Sequence, residues 1–397
     1  MAGARPQRVG VFGATGSIGA STLDVLARHP DLFEVVALSA NTNVKAMAVL
    51  CEQFEPLIAV MGDAEAAVSL AKRLPGESKT QVLAGAQGLI DAACHDLADT
   101  LVAGIVGAAG LPSCLAAVKA GKRVLIANKE ALVIAGEIVM AAAAESGATV
   151  LPIDSEHNGL FQCLPQRPDK NPANDGVERL ILTASGGPFR NRDQRSFAAV
   201  TVAEAVAHPN WDMGQKISVD SATMMNKGLE VIEAARFFQM PATKIDVLIH
   251  PQSIVHALVQ YRDGSVLAQM GQPDMRTPIA NALAWPQRID SGVAPLNLAV
   301  VGQLEFSAPD PLRFPCLPLA IQALNAGAAA TAILNAANEV AVSAFLAEQL
   351  RFDYIAGVIE ETLATLSAEH GSSLEALMEI DQLARQQAAA AVARWRN

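Results

Sequence analysis

The sequence predicts an α/β protein in three parts: an N-terminal doubly wound parallel sheet, an α+β middle and a C-terminal α-helical bundle. Three observations carry this. Residues 1–153 alternate short β-branched runs with Ala/Leu-rich stretches of helical length, the rhythm of parallel strands covered by helices. Residues 154–290 lose that rhythm and carry loops holding His, Ser, Asn and Trp. After a proline-punctuated connector at 291–318, residues 319–397 contain no proline and are dominated by Ala, Leu, Glu and Gln, as in helices packed together. A chain of 397 residues should hold more than one packed unit, because single cores rarely grow past roughly 250 to 300 residues.

In the first part, strands are expected at 9–12, 34–38, 57–60, 81–84, 101–106, 124–127 and 149–153. The uncharged stretch 101–118 is long enough to suggest a membrane span. Gly104, Gly107, Gly110 and Pro112 break it into strand, turn and helix. In the middle part, further strands are expected at 179–183, 246–249 and 265–270.

Composition excludes several function classes. Apolar residues make up 51% and charged residues 17%, which rules out disorder. The 29 Lys and Arg against 40 Asp and Glu leave a net charge of −11, the wrong sign for a nucleic-acid binder. Aromatics at 4% provide no base-stacking platform. The five cysteines are scattered and form no C-x-x-C pair, which fits a reducing, cytoplasmic setting better than a disulfide or thiolate-zinc framework. No targeting segment is visible at the N-terminus, and no membrane partner is expected.

The first expected strand runs into Gly13-Ala14-Thr15-Gly16-Ser17-Ile18-Gly19 and then a helical stretch. A strand feeding a glycine turn that opens a helix aims backbone N–H groups at a pyrophosphate, so this part reads as a Rossmann-like dinucleotide-binding domain. A tight turn made for packing is the alternative. The second strand ends in Ser39-Ala40-Asn41-Thr42-Asn43-Val44-Lys45, without the carboxylate that an NAD enzyme uses on its ribose. Asn41, Thr42, Asn43 and Lys45 could instead donate to a 2′-phosphate, favouring NADP over NAD, or form an ordinary polar loop. The segment Gly104 to Gly110 offers either close cofactor approach or close helix packing. Asn128-Lys129-Glu130 is either a ligand contact at a strand's carboxyl end or a helix cap with solvated charges.

Asp154 and Glu156 lie two residues apart, so on extended chain both would face one way and could grip one ion. Glu230 adds a third carboxylate, with Asn226 stacked at i, i+4 and Lys227 alongside. Such an oxygen donor set without Cys selects a hard octahedral cation, Mg²⁺ or Mn²⁺. A surface Lys227–Glu230 pair and a capped turn at Asp154 form the bland alternative. Ser185-Gly186-Gly187-Pro188 can present a hydroxyl and amides to an anion. His208-Pro209-Asn210-Trp211-Asp212-Met213-Gly214 is a Pro/Gly-bounded loop suited to a lid, or a loop anchored by its Trp. His250-Pro251-Gln252-Ser253, with His256, is either catalytic or structural.

Together with Pro152-Ile153-Asp154-Ser155-Glu156-His157-Asn158, Ser221-Ala222-Thr223-Met224-Met225-Asn226-Lys227-Gly228-Leu229-Glu230 and Pro273-Asp274-Met275-Arg276-Thr277-Pro278-Ile279, these strings resemble the 1-deoxy-D-xylulose 5-phosphate reductoisomerase family, in order over nearly the whole chain. The resemblance implies a homodimer with NADPH-binding, catalytic and C-terminal helical domains. Its reaction would convert a phosphorylated sugar, 1-deoxy-D-xylulose 5-phosphate, to 2-C-methyl-D-erythritol 4-phosphate in isoprenoid precursor synthesis. It implies Asp154, Glu156 and Glu230 as ligands of Mn²⁺ or Mg²⁺, with Co²⁺ also admitted. Ser155, Ser185, His208, Ser221, Asn226, Lys227 and Glu230 would meet substrate, under Trp211 and Met213 of the lid. Thr15, Gly16, Ser17, Ile18, Asn128, Glu130 and Gly214 would meet NADPH, with the Asn41, Thr42, Asn43 loop beside them. Lys129, Glu156 and His208 would act in catalysis. The family often places a basic residue in the loop after the second strand, where this chain has Asn41-Thr42-Asn43 and a later Lys45. Rival readings are an NADP-dependent semialdehyde or homoserine dehydrogenase, which needs no converging carboxylates, and a dinucleotide-sensing regulator, which needs a basic DNA-reading element.

Overall fold

A computed structural model describes residues 5–165, 175–211, 213–366 and 373–395. The chain divides into two compact units that do not follow it in a single pass. Unit 1 takes residues 1–131, 139–158 and 274–294, and unit 2 takes 132–138, 159–273 and 295–397.

Unit 1 is built on seven strands: β1 (Gln7–Phe12), β2 (Phe33–Ala40), β3 (Ile58–Met61), β4 (Gln81–Ala84), β5 (Thr100–Ala103), β6 (Arg123–Ile126) and β7 (Thr149–Pro152). They form a single sheet in the order β4-β3-β2-β1-β5-β6-β7, parallel throughout. Every expected strand is present: 81–84 matches at both ends, and the other six have ends shifted by at most three residues. The central strands are buried on both faces, Val9, Val11, Leu38, Val102 and Leu125 among them, as a sheet covered by helices on both sides requires. Strand order reverses between β1 and β5, and an open α/β sheet leaves its ligand crevice at the carboxyl ends of such a pair. The uncharged stretch 101–118 resolves into β5, a short 3-10 turn and the helix Leu111–Lys119. The segment carrying the helix Arg276–Ala284 is held to unit 1 by Arg276, which bonds Asp274 at 2.7 Å and Asp24 of the helix Ser17–Arg28 at 3.1 Å. Arg276 holds the Asp274 carboxyl below its ordinary range, and Arg28, joined by Arg276, does the same for Asp24.

Unit 2 has a four-stranded sheet from β8 (Val177–Ala184), β9 (Ile245–Ile249), β10 (Val255–Tyr261) and β11 (Val266–Met270), ordered β11-β10-β8-β9. β10 pairs antiparallel with β8 and β11, while β8 and β9 run parallel. Sequence reading found β8, β9 and β11 and missed β10, because His256 and the polar stretch before it hide an inner strand. The helices Gln215–Ala222, Met225–Phe238, Cys316–Ala326, Ala328–Leu346, Ile355–Thr365 and Leu374–Trp395 share one hydrophobic core with this sheet. Among the described residues, Ala328–Leu346 alone is long and apolar enough to cross a membrane, and 78% of its apolar window is buried inside the protein. It is the core helix of this unit.

Candidate active site

In unit 1 the glycine turn joins β1 to the helix Ser17–Arg28. Gly13 has φ +81°, and a Cβ there would stand 2.5 Å from the Gly104 carbonyl oxygen. A Cβ on Gly19 would stand 2.4 Å from the Gly13 oxygen. Backbone therefore packs on backbone, and no side chain fits at either position. The turn is also held from β2: the Gly13 N–H donates to Ser39 Oγ at 3.0 Å and the Ala14 N–H to the Ser39 carbonyl at 2.7 Å. Thr15 and Ile18 are half-buried, and Gly16 and Ser17 exposed. Gly16 caps the helix without a side-chain acceptor, leaving first-turn amides and the positive helix end available to an anion.

Asn41, Thr42, Asn43 and Lys45 are exposed at the end of β2. Asn43 has a structural task as well, since its side chain accepts from Ala46 N–H at 3.1 Å and caps the helix Val44–Phe54. The segment Gly104 to Gly110 serves close packing: a Cβ on Gly110 would fall 2.4 Å from Asn128 Nδ2. Asn128 is itself buried, donating to the Gly107 carbonyl at 2.9 Å and capping the helix Lys129–Ser146 through Ala131 N–H. Lys129 and Glu130 are buried too, so the solvated-charge alternative fails for both.

Past β7, Lys129 Nζ lies 2.7 Å from Asp154 Oδ2. Sequence reading placed Asp154 and Glu156 on one face of extended chain, and the structure corrects this. The helix Ser155–Cys163 starts between them, with Asn158 N–H donating to the Asp154 carbonyl at 2.8 Å, so Glu156 sits in the first helical turn. A carboxylate is favourable there against the helix dipole. Ser155 Oγ donates to Glu156 Oε2 at 2.6 Å. Asn158, buried, donates to the Pro152 carbonyl at 3.0 Å and to Asn281 Oδ1 at 3.2 Å.

Unit 2 brings together a second group. Ser185, at the end of β8, lies 2.9 Å from His208 Nε2. The other ring nitrogen, Nδ1, accepts from Asn210 N–H at 3.2 Å and Trp211 N–H at 3.0 Å. An imidazole that accepts at Nδ1 carries its proton on Nε2, so His208 donates to Ser185 Oγ. Gly187 N–H also donates to that oxygen, at 3.1 Å. Ser185 thus has its own hydroxyl proton left for an anion. Gly186 and Gly187 have φ of +81° and +67°, and a Cβ on Gly187 would meet the Ser221 carbonyl at 2.6 Å, so the Ser-Gly-Gly turn rests on the end of the helix Gln215–Ala222. Ser221 is half-buried there.

On the next helix, Asn226 Nδ2 donates to Glu230 Oε1 at 2.5 Å and Lys227 bonds Glu230 Oε2. The pair exists, but Lys227 is 3% and Glu230 1% exposed, so it is no surface ion pair. Burying a carboxylate costs several kcal/mol, roughly, unless a cation and further donors offset it, and Lys227 and Asn226 supply both. Trp211 packs against His256 with ring centroids 6.2 Å apart, and Asn210 donates to the Pro251 carbonyl at 2.6 Å and Ser253 Oγ at 2.9 Å. Met213 is half-buried, Gly214 caps the helix Gln215–Ala222, and Asp212 lies outside the described residues.

His250 turns out to be structural. It is fully buried and stacked 4.7 Å from Phe306, with Ile254 N–H donating to Nε2 at 3.1 Å and Nδ1 bonded to the Glu305 carbonyl at 2.9 Å. Sequence reading named Asn210 and Ser253 only as members of their polar stretches, without their mutual bond, and missed Asn281, whose contact with Asn158 spans 123 residues and leaves no local pattern.

A family profile described as 1-deoxy-D-xylulose 5-phosphate reductoisomerase matches residues 9–136, and profiles for C-terminal domains of that enzyme match residues 150–238 and 270–387. A protein of that name from Aromatoleum aromaticum is 57% identical over 383 residues, covering 96% of this chain and 95% of its own. Its namesake from Pseudomonas putida is 57% identical over 381 residues, covering 96% of each. A crystal structure of DOX-P reductoisomerase with NADPH, fosmidomycin and magnesium superposes with a TM-score of 0.94 at 46% identity over 98% of both chains. The Zymomonas mobilis enzyme with NADPH gives 0.91 at 48% identity, over 98% of this chain and 99% of its own.

Proposed function

The chain belongs to the 1-deoxy-D-xylulose 5-phosphate reductoisomerase family, and from that premise we infer that it converts 1-deoxy-D-xylulose 5-phosphate to 2-C-methyl-D-erythritol 4-phosphate, oxidising NADPH and requiring a divalent cation. The single observation that carries this is a match of 57% identity over 96% of the chain to curated enzymes of that name. Both cofactors suit the residues present. Gly13 and Gly19 admit no Cβ, and the turn leaves helix amides for a pyrophosphate. Asp154, Glu156 and Glu230 offer only oxygen donors, as Mg²⁺ or Mn²⁺ prefers.

We assign Asp154, Glu156 and Glu230 as metal ligands; Thr15, Gly16, Ser17, Ile18, Asn128, Glu130, Gly214 and the Asn41–Asn43 loop to NADPH; and Ser155, Ser185, His208, Ser221, Asn226 and Lys227 to substrate. When bound, the cation acts as a Lewis acid on the substrate's carbonyl and hydroxyl oxygens while NADPH supplies hydride. The chain's own part is positional and protonic. Ser185 donates its hydroxyl proton to the phosphate, aimed by the two donors already on its oxygen. Lys227 and Asn226 hold Glu230 in place, and both carry N–H donors of the kind a phosphate would take. Lys129 carries its proton at Nζ beside Asp154, ready for a substrate oxygen. Trp211 and Met213 keep water out. Holding the phosphate tail supplies remote binding energy that orients the reacting carbons.

Functionally the chain partitions into 1–153 for NADPH, 154–290 for catalysis, 291–318 as connector and 319–397 as helical support. We further propose a homodimer in the cytoplasm. The scattered cysteines support a reducing compartment: all five are free, and burial pushes the Cys114 and Cys316 thiols up to about 12. Absorbance at 340 nm, followed with NADPH and NADH side by side, tests the activity. NADPH oxidation should require both deoxyxylulose phosphate and Mg²⁺ or Mn²⁺. Oxidation with a semialdehyde and without metal would instead establish a dehydrogenase. Light scattering during gel filtration should give twice the mass of the 41.4 kDa chain.

A further inference from the structure

The core helix Ala328–Leu346 is mostly apolar, yet it buries Asn335 and Asn338 completely. A buried amide left unbonded is destabilising, so each needs a reason. Asn335 has a local one: it donates to Glu339 Oε1 at 3.1 Å, and Glu339 pairs with Arg385 of the last helix at 2.6 Å. Asn338 reaches elsewhere, donating at 2.8 Å to Asp220 Oδ1 across 118 residues. Asp220 is 1% exposed, and its other oxygen pairs with Lys216 Nζ at 2.9 Å.

Asp220 is the neighbour of Ser221, and the Ser221 carbonyl is the surface on which Gly187 and the Ser185 turn rest. A second contact repeats the arrangement one helix later. Gly228, the neighbour of Lys227, faces the helix Cys316–Ala326 so closely that a Cβ would stand 2.5 Å from Ala320 Cβ. The C-terminal helices therefore touch the two helices bearing Ser221 and Lys227 at positions adjacent to those residues, once through a buried hydrogen bond to a carboxylate and once through bare backbone packing.

We propose that Asp220 and Asn338 are positioning residues for the substrate's phosphate. The C-terminal helical region sets where Ser221, and through Gly187 the hydroxyl of Ser185, stand. This rests on the proposed assignment of Ser221 to substrate, taken here as a contact to its phosphate beside Ser185. A buried charged hydrogen bond suits that task because it has one geometry, whereas apolar contacts tolerate sliding.

The test is steady-state kinetics of the full-length enzyme. Asn338→Ala should raise KM for deoxyxylulose phosphate about tenfold and leave KM for NADPH within twofold. The exchange Asp220→Asn with Asn338→Asp, which rebuilds the bond in the opposite sense, should recover most of that loss. Asp220→Asn alone keeps the shape and the acceptor, folds even where Asn338→Ala does not, and should raise the same KM about threefold. Unchanged substrate KM in Asn338→Ala or Asp220→Asn, equal rises in both KM values, or an exchange that restores the melting temperature without restoring KM would overturn the proposal. Ser221→Ala separates the two levels. If it leaves substrate KM unchanged, the phosphate assignment fails; if it raises KM while the Asp220 and Asn338 variants do not, only the positioning role fails.

Discussion

The two regions assigned to phosphate groups are built in opposite ways. At the end of β1 the pyrophosphate cradle is backbone, with Gly13 and Gly19 excluding side chains and a helix start presenting amides. In unit 2 the group proposed for the substrate's phosphate comes from side chains: Ser185 after β8, oriented by His208, and Ser221, Asn226 and Lys227 on two helices. Contiguity explains most of the first, since one strand, turn and helix within about 20 residues carry it, steadied by backbone contacts to Ser39 and Gly104. The second depends on long-range contacts such as Asn338 to Asp220, so it can be disturbed from far away. An anion held by amides resists single side-chain deletions, and one held by side chains does not.

Substitutions should bear this out in graded fashion. The largest effect belongs to neither phosphate region: Glu230→Gln should lower kcat by about 10³-fold, about 4 kcal/mol of lost stabilisation, with NADPH binding by fluorescence unchanged. Near-normal turnover would remove Glu230 from the ligand set. Next, Gly19→Ala forces a Cβ into the Gly13 carbonyl and should weaken NADPH about 10- to 100-fold, from roughly 1–3 kcal/mol of overpacking. A titration showing equal affinity would mean the turn can yield and is no rigid cradle. Ser185→Ala should raise KM for the phosphorylated substrate about 10- to 100-fold, the worth of a hydrogen bond to a charged group, and spare NADPH. A parallel loss of both would contradict the separation of the two regions. Smallest is Lys45→Ala, an exposed cation, expected to raise KM for NADPH at most about fivefold and leave NADH alone. If NADH use changes equally, Lys45 has nothing to do with the 2′-phosphate.

Legibility followed the same division. The seven strands of the parallel sheet were readable because each is a short apolar run between turn signals, largely buried in all but the edge strand β4. β10 was not, because a strand carrying a buried histidine after a polar loop gives no periodicity. The residues Asp154, Glu156 and Glu230 were found as types, but not the helix that begins between the first two. His250 could not be sorted from His208 by sequence. Both stand in loops directly before a proline, and their partners separate them: backbone and Phe306 around His250, against a hydroxyl facing His208.

By itself, the sequence determined the α/β class, the position of the nucleotide turn and the chemistry of the donors, since these depend on local sterics, periodicity and residue type. Only the tertiary structure decided that 274–294 returns to the first unit, that Lys129, Glu130, Lys227 and Glu230 are buried, and that His208 is a neutral donor to Ser185. Those facts depend on which distant groups exclude water or offer a partner. Burial and protonation are properties of an environment, and the chain acquires one only by folding.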